Sequence, residues 1–235
     1  MSRRIVVLTG AGISAESGIR TFRAADGLWE DHRPEDVATP EAFEADPALV
    51  HRFYNARRAH LSSDGVEPNA AHLALARLEQ EYDGDVLIVT QNIDDLHERA
   101  GSRNVLHLHG ELLKMSCTEC AAVRDAWPEL GVDSICPGCG VSGRLRPHVV
   151  WFGEMPIGLE GILEALEDCS VFAAVGTSGN VYPAAGFVHV AAAAGAQTVE
   201  LNLEPSEVSF GFAEVRRGPA ASEVPRWVDE VLTNQ

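Results

Sequence analysis

Short apolar runs recur along this chain: RIVVLT, DVLIVTQ, VLHLH, SVFAAVGT and QTVELNL. Most are rich in β-branched residues, and RIVVLT, DVLIVTQ and SVFAAVGT are nearly continuous in apolar side chains, the pattern of a strand buried on both faces. Between several of them lie helical patterns, among them AAHLALARLEQEY, GLEGILEALEDC and AAGFVHVAAAAG. Strands of this kind alternating with helices predict an α/β fold, a parallel sheet covered by helices on both faces. Asn69 stands as N-cap before the first of these helices, and Thr39-Pro40 and Asp46-Pro47 each read as an N-cap followed by proline at the first helical position. The AAAAG at 191–195 reads as a helix ending on Gly195.

At 235 residues the chain is long enough for one large core, or a core with a small satellite domain. Hydrophobic residues make up 46% of it, yet no apolar run approaches the roughly 20 residues a bilayer requires. The N-terminal MSRRIVVLTGAG has a basic start, but its apolar part is only IVVL and no small-residue cleavage site follows. It reads as a first strand and not as a signal peptide. A cytoplasmic protein with no membrane partner is the expectation. The net charge of -17 speaks against a nucleic-acid ligand, whose affinity rests on Lys and Arg neutralising phosphates. It suits basic partners such as lysine-bearing protein segments, although acidic surfaces also serve solubility alone.

Two insertions interrupt the alternation. The first, from about Ala24 to Glu67, holds a polar loop and two short helices; the second, from about Glu111 to Arg146, holds two close pairs of cysteines. Cys117-x2-Cys120 and Cys136-x2-Cys139 each place two thiolates at the tip of a tight turn, with Pro137, Gly138 and Gly140 as turn residues. Two such tips form the four-sulfur cage that Zn2+ accepts, and four thiolates leave no position open for a catalytic water. The pattern predicts one structural zinc in a reducing compartment rather than disulfides. A zinc ribbon can also bind nucleic acid, but the Lys and Arg between 111 and 146 are matched by acids and form no basic face. Cys169, in LEDCSVF, reads as an ordinary buried cysteine.

The strands end on residues with chemistry. RIVVLT breaks into Gly10-Ala11-Gly12, and a short helix beginning near Ser14 is expected to follow. Glycines admit a pyrophosphate close to the backbone, and a helix N-terminus offers it N–H groups. The turn is not a full G-x-G-x-x-G, since position 15 is Ala, and no acid ends a second strand about 20 residues on, as a dehydrogenase requires. By itself the turn is equally a plain strand–helix connection. DVLIVTQ runs into Gln91, Asn92 and Asp94, at the carboxyl end where open α/β sheets bind ligands. In VLHLHGE, Val105, His107 and His109 share one face of a strand expected to end at Gly110. A histidine there serves either as a general base or as a hydrogen-bonded structural group. VGTSGNVYP and LNLEPS add two strand ends with small or amide residues, fit for ribose hydroxyls and phosphate.

One further stretch stands out. Residues 47–63 contain no acid in a chain that has 35. Wound at about 3.6 residues per turn, they put Leu49, Val50, Phe53, Tyr54, Ala56, Arg57, His60 and Leu61 on one half, and Arg52, Asn55, Arg58 and Ser62 on the other. Arg57 thus stands in the middle of the apolar half, one turn beyond Tyr54. It is either paired internally with an acid or held for an anionic ligand.

In chain order, GAGIS, GIRTFR, TQNID, HLHG, the cysteine pairs, RPHVVWFGE, GTS and NLEPS resemble the sirtuins, the NAD-dependent protein-lysine deacylases, and the bacterial members in particular. The motifs and the gaps between them span nearly the whole chain. The resemblance implies a Rossmann-like NAD-binding domain at 1–23, 68–110 and 147–235. It also implies a smaller domain, made of a cofactor-binding loop with a helical insertion at 24–67 and a four-cysteine zinc-ribbon module at 111–146. Gly10, Ala11, Gly12 and Ser14 would line the diphosphate, with Phe22 and Arg23 in the cofactor loop beside the nicotinamide ribose. Gln91, Asn92, Ile93 and Asp94 would surround that ribose and the carboxamide, with Asp94 holding the carboxamide. Gly176, Thr177 and Ser178 would face the adenosine side; Asn202, Leu203 and Glu204 would sit around its ribose, and Ala220 near the adenine. The HG pairing selects His109 as the base. Val150, Trp151, Phe152, Gly153 and Glu154 would border the acyl-lysine tunnel and, with GNVYP, pair with the substrate backbone as an added strand. Cys117, Cys120, Cys136 and Cys139 would hold the zinc.

The implied chemistry consumes NAD as a co-substrate, so the missing dehydrogenase acid is no obstacle. Loss of nicotinamide develops oxocarbenium character at the ribose, where the acyl oxygen of a substrate lysine attacks. His109 would then deprotonate a ribose hydroxyl, which attacks the resulting imidate carbon; water finally yields free lysine and O-acyl-ADP-ribose. Within this family, Tyr-x-x-Arg on the inserted helix resembles the mark of the subgroup that removes succinyl and malonyl groups. Tyr54 and Arg57 match it, and Ala38 of DVATP matches the small residue that leaves the acyl pocket roomy. A guanidinium gives a carboxylate a forked, charge-assisted pair of hydrogen bonds. Deacetylation is expected to persist, since a roomy pocket need not exclude a small neutral group. Three other readings make different predictions. Mono-ADP-ribosyl transfer would leave label on the protein, an NAD(P) oxidoreductase would change the nicotinamide spectrum, and a non-catalytic zinc-ribbon module would be indifferent to His109→Ala.

Overall fold

Arg4–Thr9 form β1, and its alternate side chains enter two different cores. Ile5 and Val7 go to one and Val6 and Leu8 to the other, which is why the run is apolar at every position rather than at every second one. The computed structural model describes residues 3–21, 29 and 32–234. After β1 come the short helix α1 (Ala11–Ser14), α2 (Pro34–Val37), α3 (Pro40–Ala45) and α4 (Pro47–Leu61). Next are α5 (Ala70–Glu81), β2 (Asp85–Thr90), α6 (Leu96–Ala100) and β3 (Val105–His107). β4 (Gly110–Cys117), β5 (Val123–Asp125) and β6 (Leu145–Val149) follow. The chain ends through α7 (Leu159–Glu167), β7 (Val171–Val175), α8 (Phe187–Ala193), β8 (Gln197–Asn202), β9 (Glu214–Arg217) and α9 (Ala220–Thr233).

The larger sheet is six-stranded and parallel throughout, in the order β3-β2-β1-β7-β8-β9. One face is covered by α5 and α9 through Leu75, Leu78, Val224 and Trp227, the other by α7 and α8 through Ile162, Leu166 and Phe187. This is the predicted α/β architecture. β4, β5 and β6 form a separate antiparallel sheet in the order β5-β4-β6. A third core joins that sheet to the inserted helices: Val37, Val50, Phe53 and Tyr54 pack with Leu112, Val149 and Trp151. Each such side chain contributes about 1.5–3 kcal/mol on burial, so helices and small sheet stabilise each other.

The helix starts follow their sequence signals. Thr39 accepts from Ala42 N–H at 3.1 Å and Asp46 from Leu49 N–H at 2.8 Å, each followed by proline at the first helical position. Asn69 forms a capping box with His72.

Elsewhere the fold departs from the sequence expectations. The first insertion holds three helices, the last of them 15 residues long, where the sequence predicts two short ones. Asn55 and Arg58, placed on the polar half by periodicity, are turned to the four-cysteine module. Asn55 Nδ2 donates to Leu130 O at 2.8 Å and Asn55 Oδ1 accepts from Leu130 N–H at 3.0 Å, while Arg58 donates to Asn55 Oδ1 and is only 3% exposed. Ala56 and His60, assigned to the apolar half, are exposed. α9 is not singled out by the sequence pattern, because Pro225 lies within it and removes a helical N–H. Burial of Val224, Trp227 and Val228 against the sheet holds the helix together across that gap.

Candidate active site

The parallel register levels the ends of five strands. Thr9 pairs with Thr90 and Val175, Thr90 with His107, and Val175 with Leu201, so these residues form one rung across the sheet. The residues immediately after that rung are Gly10, Gln91, Gly176 and Asn202 on four of the strands, with His109 two residues beyond β3. Strand order reverses between β1 and β7, the switch point where open α/β sheets bind ligands.

At that point the loops after β1 and β7 interlock. Gly10 N–H donates to Val175 O at 3.0 Å and Gly12 N–H to Gly176 O at 2.9 Å. A Cβ on Gly12 would stand 2.6 Å from Gly176 Cα, and one on Gly176, whose φ is +62°, would stand 2.4 Å from Ile13 N. The glycines are therefore required first by each other. Gly10 is also the N-cap of α1, so the helix starts at Ala11 and not near Ser14.

Beneath this turn lies a buried polar network. Asn92 Nδ2 donates to Ser14 Oγ at 3.1 Å and to Gly10 O at 3.2 Å, and Ser14 Oγ donates to Asp94 Oδ2 at 3.1 Å. Asp94 Oδ1 accepts from Leu96 N–H at 3.2 Å. Burial raises the Asp94 carboxyl to about 6, against the pull of these two donors. His72 Nδ1 accepts from Asn69 N–H at 3.3 Å, which leaves Nε2–H directed at Ser14 Oγ, 3.5 Å away. His97 bonds Thr9 Oγ1 at 2.9 Å, and its ring stands 5.0 Å from that of His72. Burial lowers His72 to about 4 and His97 well below the usual histidine range, so both are neutral. Sequence reasoning did not select His72, His97 or Thr9; the only signal for His72 is its place three residues after the Asn69 cap.

The two strand-end histidines differ. β3 stops at His107, and His109 lies in the turn before Gly110 rather than on the strand, because Leu108 N–H bonds Thr90 O and Gly110 turns at φ +80°. His107 is engaged at both ring nitrogens, by Asn92 O at 3.2 Å and Glu98 Oε1 at 2.8 Å. Burial lowers its pKa, but Glu98, the Asn92 carbonyl and Glu111 together outweigh burial and the net shift is upward. Among the described residues His109 is engaged only at Nδ1, by Gln91 O at 3.0 Å. A carbonyl only accepts, so Nδ1 carries the proton and Nε2 presents a lone pair. Burial lowers the His109 pKa, partly opposed by that carbonyl, which keeps the ring neutral near pH 7.

The loop after β6 joins His109 to the inserted helices. Val150 N–H donates to His109 O at 2.8 Å and Phe152 N–H to Ala38 O at 3.0 Å. Trp151 is buried and its indole N–H donates to Tyr54 Oη at 2.9 Å; Phe152 is exposed and Gly153 turns at φ +89°. Glu154 accepts from Arg146 with both oxygens. Arg57 departs from the helical-wheel picture: it folds back along α4, donating to Phe53 O at 2.8 Å with its guanidinium carbon 3.8 Å from the Phe53 ring centroid. Trp29 completes this end of the site, its ring 4.8 Å from Phe53 and 6.0 Å from Tyr54. Phe22 and Arg23 lie outside the described residues.

On the other side of the switch point, Asn202 Nδ2 donates to Thr177 O at 2.6 Å and Glu207 N–H to Ser178 O at 3.1 Å. Leu203 and Glu204 are exposed; Ala220 is buried at the first turn of α9, where Ala221 N–H bonds Glu16 Oε2 at 2.9 Å. Ile93 is half-buried, its carbonyl accepting from Leu112 N–H at 2.8 Å.

The four paired cysteines converge. Their Sγ atoms all lie within 4.8 Å of one another, with Cys117–Cys139 and Cys120–Cys136 at 3.8 Å. A tetrahedron of bonds of about 2.3 Å has edges of about 3.8 Å, so the cage fits Zn2+. The backbone N–H groups of Cys139 and Gly138 lower the Cys136 thiol to about 6. Cys169 is apart from this cluster, buried, with its Sγ on Leu166 O at 3.3 Å. No helix among the described residues is long and apolar enough to cross a membrane.

Known proteins are similar to this chain in sequence and fold. A family model described as the Sir2 family matches residues 10–183. The NAD-dependent protein deacylase of Shigella flexneri is 60% identical over 229 residues, covering 97% of this chain and 84% of that protein. That of Vibrio cholerae is 57% identical over 233 residues, 99% of this chain and 95% of that protein. Among solved structures, a mutant Sir2 homologue in complex with ADP-ribose superposes with a TM-score of 0.90 at 40% identity, over 99% of this chain and 93% of that one.

Proposed function

Because the chain belongs to the Sir2 family and is an NAD-dependent protein deacylase, we propose that it removes succinyl and malonyl groups as well as acetyl from lysine side chains. The observation that carries this reading is the loop at 149–154. It ties the backbone of His109 to that of Ala38 and, through Trp151, to Tyr54, so the base and an acyl end containing Arg57 belong to one rigid piece.

Bound NAD supplies an activated ribosyl carbon, with nicotinamide as the leaving group. The donor set fits it: amide, hydroxyl and carboxylate groups of Ser14, Asn92 and Asp94 converge beside the Gly10–Gly12 turn, Gln91 follows β2 directly, and Gly176–Ser178 with Asn202–Glu204 and Ala220 frame the far side. Phe22 and Arg23 belong to the same proposed set, as does Ile93. His109 Nε2 accepts a proton from a hydroxyl while Nδ1 stays on the Gln91 carbonyl. Asp94, buried with Asn92 and Ser14, orients a carboxamide. Arg57 and Tyr54 read the acyl carboxylate by charge and by a hydroxyl donor, with Ala38 leaving room. Val150 to Glu154 border the lysine entrance, and Glu154 does so by holding the loop rather than by a free carboxylate. Cys117, Cys120, Cys136 and Cys139 hold one structural Zn2+, which suits a reducing cytoplasm.

The test is a paired peptide assay with NAD, following nicotinamide and peptide mass on acetyl-lysine and succinyl-lysine forms of one sequence. Arg57→Met is expected to abolish desuccinylation and spare deacetylation, and His109→Ala to lower both steeply. Equal removal of both acyl groups before and after Arg57→Met would refute the acidic-acyl reading.

A further inference from the structure

Trp151 is fixed on three sides. Its indole N–H meets Tyr54 Oη at 2.9 Å, its backbone N–H meets Glu154 Oε2 at 2.8 Å, and the Arg146 guanidinium carbon lies 3.4 Å from its ring centroid. Arg146 is itself locked by both oxygens of Glu154, at 2.6 and 2.9 Å, and by the Val149 carbonyl at 2.8 Å. An indole N–H only donates, so in its contact with Tyr54 the phenol oxygen must accept. Tyr54 is 0% exposed, and its own O–H has no acceptor among the described residues. A buried donor left in that state costs free energy that an incoming acceptor recovers.

We propose that Trp151 is a positioning residue for acyl selection: its N–H takes the acceptor side of Tyr54 Oη and so directs the phenolic proton to the acyl group. An acceptor in place of the indole would draw that proton to itself and turn phenol lone pairs toward a carboxylate, which repels it. The Arg146–Glu154 pair prevents the indole from rotating out of this role. The inference rests on the acidic-acyl reading and adds what sets the polarity of its hydroxyl.

The test is a double-mutant cycle of Trp151→Phe and Tyr54→Phe, read as the succinyl-to-acetyl ratio of kcat/KM on one peptide. The ratio is taken within each preparation, so loss of folded enzyme cancels. A hydrogen bond to a charged group predicts that Tyr54→Phe lowers the ratio about tenfold or more, chiefly through KM for the succinyl peptide. Trp151→Phe should lower it in the Tyr54 parent and change it less than about twofold in the Tyr54→Phe background. If Trp151→Phe yields no folded enzyme, 3-benzothienylalanine at position 151 keeps the bicyclic ring without the N–H. Equal effects of the 151 substitution in both backgrounds would show that Trp151 acts by packing alone and overturn the proposal. An unchanged ratio in Arg57→Met would instead remove the acidic-acyl reading, and this inference with it.

Discussion

Replacing Asp94 with Asn should stabilise the fold near neutral pH. The carboxyl is 6% exposed, and burial raises it to about 6 from an ordinary value of 3.8. Between those values the native state holds a proton that the unfolded chain has released, so stability falls as pH rises through the window. A shift of about two units amounts to ~3 kcal/mol at pH 7, of which about half is already lost at pH 5. Asn carries no charge, but it cannot accept from both Leu96 N–H and Ser14 Oγ as the carboxylate does, a loss of about 1 kcal/mol. The net expectation is a variant more stable than its parent by ~2 kcal/mol at pH 7 and by only ~0.5 kcal/mol at pH 5. Urea unfolding of the zinc-loaded, NAD-free protein from pH 5 to 8 measures this, as the difference in midpoint at constant m. Contributions common to both proteins cancel in the difference. An Asn variant that is less stable at pH 7, or a difference that does not vary with pH, would refute the reasoning. Deacylation should fall in the same variant, since a strained carboxylate kept for function is a common trade.

Other expectations follow from the same geometry. Gly176→Ala forces a Cβ to 2.4 Å from Ile13 N at a φ of +62° and should destabilise by about 4 kcal/mol or more, whereas Gly153→Ala, with open space around it, costs only the left-handed strain of about 1–2 kcal/mol; thermal unfolding compares them. His109→Ala should lower deacylation by about 10²–10⁴-fold with the fold intact. The acid limb of the parent pH–rate profile should lie below the ordinary histidine value of 6.5, because burial lowers the His109 pKa. Asn55→Ala should accelerate zinc release to a chelator, followed with a metallochromic dye, because it removes both hydrogen bonds to Leu130, whose side chain packs with Cys117 and Cys136; an unchanged rate would show that α4 does not support the metal site.

Much of the architecture is written locally. RIVVLT is apolar at odd and even positions alike, which only a strand covered on both faces can satisfy, and the cysteine spacing sets two turns whose tips converge. Thr39, Asp46 and Asn69 cap helices because a short polar side chain can reach its own chain two or three residues on. These are features of neighbouring residues, and a single sequence carries them. Its family motifs also carried the resemblance that led to the deacylase.

Tertiary structure decided what depends on distant partners. Periodicity tells which residues of α4 share a side, but not that Asn55 and Arg58 meet the four-cysteine module on the other one. It cannot distinguish His107 from His109, since the difference is a carboxylate from α6 reaching one ring and not the other. It reads Gly10 and Gly12 as room for a ligand, while the close approach belongs to Gly176. It names Tyr54 without the indole, 97 residues away, that fixes the direction of its proton. The strands and turns come from short-range patterns; the hydrogen-bond partners of buried polar groups come from packing, because only a folded chain decides which donor is left facing which acceptor.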